Sequence, residues 1–194
     1  MEKLFAKIIS LVLNPLVILI PVPFILVFKT TGDIGRSIFW SIFTLIFILI
    51  FFIFVLLGIE KGYFSDLDVS KRRQRFFLYT FAIALSSVYL IFLYFLKAPE
   101  VLFIAVFGII LGIILIEFIN KITKASVHVG MVSAFTTSLV LGFGPLMLLT
   151  FVFIPLVAWA RIKTKNHTKR QTVIGGALGI LTTLVVYVIF KYII

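Results

Sequence analysis

Seven long stretches of the chain carry almost no polar residue, and short polar clusters separate them. The stretches cover residues 4–28, 37–58, 76–96, 101–119, 129–141, 145–160 and 172–193. Several approach or exceed the roughly 20 residues that a helix needs to cross hydrocarbon. They are apolar on all sides, without the period-two alternation of a membrane barrel strand. A backbone facing lipid must satisfy its own hydrogen bonds, which leaves the α-helix. The pattern therefore predicts an all-α fold, a polytopic membrane helical bundle of about six to seven transmembrane helices. The count stays open because 129–141 and 145–160 are short and meet at Gly142-Phe143-Gly144-Pro145. A re-entrant pair fits their length as well as two spans do.

Within the first stretch, Asn14-Pro15 and Pro21-Val22-Pro23 should kink or break the helix and leave carbonyls in need of partners. The stretch is longer than a signal-peptide core and has no small-residue cleavage pattern after it, so it reads as a retained helix. Gly108 and Gly112, and again Gly175 and Gly179, recur at the four-residue spacing that lets helices approach closely, here within one subunit. With no repeat, linker or low-complexity tract, 1–194 reads as a single integral-membrane domain.

Composition sharpens this picture. Charged residues make up 13% of the chain, about half the share of a soluble domain. Cysteine is absent, which excludes disulfides, thiolate metal sites and cysteine nucleophiles. The net charge is +11, from 18 Lys and Arg against 7 Asp and Glu. With six or seven spans, the amino terminus and the loops after the second, fourth and sixth stretches share one face. Only Lys29, Arg36, Lys97 and Lys191 fall on the other. The positive-inside bias then predicts an integral protein of the cell membrane whose amino terminus and basic loops are cytoplasmic, and which attracts anionic lipid rather than nucleic acid.

Both histidines, His128 and His167, fall on the basic face, each where a loop meets a helix. His167 sits in AWARIKTKNHTKRQTVIGGALG, six residues after Arg161 and four before Gln171. A helix starting near His167 would put Gln171 one turn on, on the same face and within reach of the imidazole. His128, in KITKASVHVG, follows Ser126 by two residues, and a third loop, SDLDVSKRRQRFFLY, carries Lys71, Arg72, Arg73 and Arg75. Guanidinium groups from separate loops can grip phosphate oxygens bidentately. One imidazole can then attack phosphorus while the other protonates the departing oxygen, with no metal or cofactor required.

These residues resemble the type 2 phosphatidic acid phosphatases, integral-membrane lipid phosphate phosphatases related to vanadium haloperoxidases. The Arg, five residues, His, three residues, Asp of that family's last motif is matched by Arg161, His167 and, in the acidic position, Gln171. Its Ser-Gly-His resembles Ser126-Val127-His128, and its basic first motif resembles the segment around Lys71, Arg72 and Arg75. The likeness covers about 65–180, implying a core over about 65–194 with two additional helices in 1–58. It further implies a lipid phosphate or lipid diphosphate phosphatase working through a phosphohistidine. His167 would be the nucleophile oriented by Gln171, and His128 the acid for the leaving group. Arg161, Arg72, Arg75 and Lys71 would form the phosphate cradle, assisted by Ser126. Two other readings are carried forward. Asp66 and Asp68 in Ser65-Asp66-Leu67-Asp68 could hold Mg²⁺ in a membrane prenyl or phosphatidyl transferase, although they read first as loop-turning residues. Alternatively, the same basic site binds or transports an anionic lipid without hydrolysing it.

Overall fold

The computed structural model describes residues 1–192; position 193, the end of the last expected span, lies outside them. In chain order its helices are α1 (Glu2–Val12), α2 (Pro15–Leu19), α3 (Val22–Thr31), α4 (Ile34–Glu60), α5 (Arg75–Phe95), α6 (Glu100–Ile122), α7 (Val127–Phe143), α8 (Phe153–Lys163) and α9 (Lys169–Tyr192). Short 3-10 helices cover Arg72–Gln74 and Pro145–Val152, and no strand occurs among the described residues.

Five stretches are long and apolar enough to cross a bilayer, namely Ile34–Glu60, Arg72–Phe95, Glu100–Ile122, Pro145–Lys163 and Lys169–Tyr192. The expected span over 129–141 corresponds to α7, which has 17 residues and so extends only about 26 Å. Ser126 caps its start, and Gly144, with φ +93°, ends it.

The expected break in the first span occurs, and its chemistry is local. Pro15 has no N–H to continue α1 and biases Asn14 away from helical geometry. Asn14 becomes the cap of the next helix: its Oδ1 accepts the Leu16 N–H at 2.9 Å, with Pro15 at the first helical position. A second break before α3 falls at Pro21. The pieces on either side make a sixth span if counted as one.

The chain divides into two compact units, 1–18 with the chain from 118 onward, and 19–117. In the first unit, α7 and α9 run parallel in close contact. A Cβ on Gly175 would lie 2.4 Å from the Ser126 carbonyl oxygen, and one on Gly179 would lie 2.1 Å from that of Gly130. Only hydrogen fits at either place, so the spacing of Gly175 and Gly179 does serve packing within the subunit. Between α7 and α9 the chain returns through Pro145–Val152 and α8. Ile18, Val129, Val132 and Val157 form the core shared by α2, α7 and α8. Ala6, Ile9 and Ser10 of α1, with Leu13 at its end, share one helical face. That face lies on α8, with Ala6 and Ala160 both fully buried. The two helices run antiparallel, for Glu2 pairs with Lys163 while Leu13 and Leu156 pack at the other end.

In the second unit, α3 turns through Gly32 (φ +66°) into α4, whose start is capped by Asp33 accepting the Arg36 N–H at 3.0 Å. Val27, Trp40, Tyr89, Leu93, Leu102 and Val106 form its main core, and a hydroxyl pair, Thr44 Oγ1 and Tyr89 OH, joins α4 to α5 at 2.6 Å. At its other end Val55, Phe64 and Val69 make a smaller core under the loop that precedes α5.

Candidate functional site

The polar end of the first unit is organised by Arg161, in the last turn of α8. The helix closes with a Schellman arrangement, in which Lys165 donates its N–H to the Ile162 carbonyl at 2.9 Å and Asn166 donates to the Arg161 carbonyl at 3.1 Å. Lys165 takes the left-handed conformation, φ +62°, which glycine usually fills. The next N–H, that of His167, also reaches the Arg161 carbonyl, at 3.2 Å. The six-residue separation of Arg161 and His167 is thus the length of one helix ending.

From there Thr168 starts α9 with a capping box. Its N–H donates to Gln171 Oε1 at 3.2 Å, and the Gln171 N–H donates to its Oγ1 at 3.4 Å. Because a backbone N–H must meet an oxygen, the orientation of the Gln171 amide is settled. The same Oε1 lies 3.1 Å from His167 Nδ1, so that nitrogen carries a ring hydrogen. The expected contact between Gln171 and the imidazole is present, and His167 is buried.

His128 is the second residue of α7, after Val127 and the Ser126 cap. Ser126 is fully buried; its hydroxyl accepts the Val129 N–H, and its own N–H donates to the Gln171 carbonyl at 3.1 Å, tying the starts of α7 and α9 together. The loops before these helices are also tied, with Lys124 Nζ donating to the Asn166 carbonyl at 2.9 Å. The Arg161 guanidinium is buried and donates from Nη1 to Ser10 Oγ at 2.6 Å; the same nitrogen lies 3.5 Å from His128 Nε2. Asn14 Nδ2 lies 3.3 Å from that ring nitrogen.

The structure therefore brings together Arg161, His128, His167, Gln171 and Ser126 within one unit. It adds Ser10 and Asn14 from the amino-terminal segment, which the sequence reading set apart from the core. Asn14-Pro15 and Thr168…Gln171 were the available signals, as cap signatures whose side chains have a second use; Ser10 left none beyond sharing a face with Ala6.

Lys71, Arg72 and Arg75 belong to the second unit. Lys71 and Arg72 are exposed, whereas Arg75 is buried and donates from Nε to the Val69 carbonyl at 3.1 Å. That loop is built by Asp66, whose carboxylate accepts from Ser65 Oγ at 2.7 Å, Asp68 N–H at 3.0 Å and Ser70 Oγ at 3.0 Å. Partial burial pushes its pKa up, but these hydrogen bonds outweigh burial and hold it below the usual aspartate value. Among the described residues, no group of three or more His, Asp or Glu side chains is placed to hold a metal ion.

Compared with family models, with curated proteins and with solved structures, the chain matches none.

Proposed function

We propose that the chain is an integral-membrane hydrolase that releases phosphate from a lipid phosphate or lipid diphosphate through a phosphohistidine at His167. The observation that carries the reading is the orientation of that ring: Gln171 Oε1 holds Nδ1 at 3.1 Å, which turns Nε2 away from the glutamine as the atom for attack. A neutral, oriented imidazole is what in-line attack on phosphorus requires. The buried Arg161 guanidinium supplies positive charge at the same end of the unit. So do the amino ends of the parallel helices α7 and α9, where backbone N–H groups favour an anion. His128 would donate a hydrogen bond to the departing oxygen, and water would then protonate that oxygen and release phosphate from His167. Lys71, Arg72 and Arg75 enter this reading through the resemblance alone.

Detergent-solubilised protein given phosphatidic acid, a phosphatidylglycerol phosphate and a polyprenyl diphosphate should release inorganic phosphate from at least one of them. Turnover should be the same in EDTA, which separates this mechanism from a Mg²⁺-dependent transferase built on Asp66 and Asp68. Release from none of the three would defeat it. Gln171→Glu should raise turnover about tenfold, because a carboxylate keeps the capping box and adds charge that stabilises an imidazolium. An unchanged rate would show that Gln171 acts only as a cap.

One observation favours a second reading, in which the site binds an anionic headgroup without cleaving it: Gln171 orients His167 but brings no negative charge. The same phosphate-release measurement separates the two.

We read the basic end as cytoplasmic in the cell membrane. A single cysteine at position 165 should react with a membrane-impermeant maleimide only after the cells are opened, and reaction in intact cells would reverse the orientation.

A further inference from the structure

The amino-terminal segment bears directly on the second histidine. Asn14 caps α2 through Oδ1, which accepts the Leu16 N–H at 2.9 Å. As the oxygen is committed there, the atom turned toward His128 is the amide nitrogen, a donor, 3.3 Å from Nε2. Arg161 Nη1, 3.5 Å from that same Nε2, is also a donor and can be nothing else. Ser10 holds the guanidinium in this position through the 2.6 Å contact with Nη1. Two donors converging on one imidazole nitrogen require it to be an acceptor.

We infer that Asn14 and Ser10 are positioning residues that set the tautomer of His128, holding Nε2 as the acceptor and the ring hydrogen on Nδ1. The hydrogen that His128 can give is then the one on Nδ1, not one on the nitrogen facing α1. Under the phosphatase reading, on which this consequence rests, the neutral ring donates a hydrogen bond from Nδ1 to the leaving oxygen, which takes its proton from water. The break at Asn14-Pro15 acquires a use by the same argument. It ends α1 where an amide side chain can cap the next helix with one atom and address the histidine with the other.

The chain has two histidines, and both are placed as Nδ1–H rings. In protein labelled with ¹⁵N-histidine, held in micelles at about pH 9 so that both rings are neutral, each ring should show a protonated Nδ1 and a bare Nε2. Asn14→Asp keeps the oxygen that caps α2 and replaces the donor by an acceptor. One ring should then exchange its nitrogen signals to the Nε2–H form, while the other, His167 on Gln171, stays as it was and reports an intact fold. If Asn14→Asp does not fold, Asn14→Ser keeps a capping oxygen but falls short of His128. With Arg161 still facing Nε2, that ring should become a mixture of the Nδ1–H and Nε2–H forms. The inference falls if no ring responds in the folded variant, or if the responding ring carries Nε2–H in the wild type. Because the readout is a nitrogen signal rather than turnover, failure to release phosphate would sink the functional reading and leave this one standing.

Discussion

Replacing His167 with alanine should lower lipid phosphate release by about 10³-fold or more, the loss expected when the nucleophile of a covalent mechanism is removed. The fold should survive the change. His167 is held through its backbone N–H on the Arg161 carbonyl, and alanine keeps that group. The capping box of α9 lies between Thr168 and Gln171, so it is also untouched. Circular dichroism of the variant should match the wild type while phosphate release disappears. In a quenched reaction with labelled substrate, the acid-labile phosphoprotein seen in the wild type should be missing. Equal release by His167→Ala would defeat the mechanism outright.

Gly179→Ala should destabilise the first unit by about 3 kcal/mol, at the upper end of the cost of overpacking. The new methyl carbon would stand 2.1 Å from the Gly130 carbonyl oxygen, 2.9 Å from its carbon and 3.0 Å from the Ala134 nitrogen. All three atoms are backbone, so no rotamer change gives relief and α7 must move away from α9. Gly176 supplies the control on the same helix. Its added carbon would meet Ser133 Oγ and Val129 Cγ1 at 3.4 Å, ordinary contact with side chains, and Gly176→Ala should stay within about 1 kcal/mol of wild type. Unfolding in mixed detergent and SDS micelles measures both. Equal stability of the two variants would mean that the α7–α9 contact does not hold the unit together.

Hydropathy alone located the long helices, because uniform apolarity over a membrane-length run has one solution for a backbone in lipid. The pairing of His167 with Gln171 was legible for a similar reason, since four residues at a helix start fix a shared face. The exact ending of α8 was not, because its left-handed position is filled by Lys165 and no glycine announces it. Ser10 and Asn14 were hidden for another reason. Their partners Arg161 and His128 lie far along the chain, and neither spacing nor composition records which helix a lone serine in an apolar run will meet. The shortness of α7 was visible in the Gly142-Phe143-Gly144-Pro145 turn that follows it, but not its intimate pairing with α9, which depends on which glycines face each other.

Ser10 and Arg161 are 151 residues apart in the chain. At a synthesis rate of about 5–20 residues per second, α1 is made roughly 8–30 s before the guanidinium it will hold. Until then the hydroxyl of Ser10 must find a temporary partner, in its own helix, in lipid headgroups or in the insertion machinery. The late arrival of α8 then brings a charged side chain that is costly to leave in an apolar setting, to a place where a hydroxyl and an imidazole nitrogen are waiting. Capture of this late-made charge by the first-made helix would make closure of the polar end a late event in biogenesis.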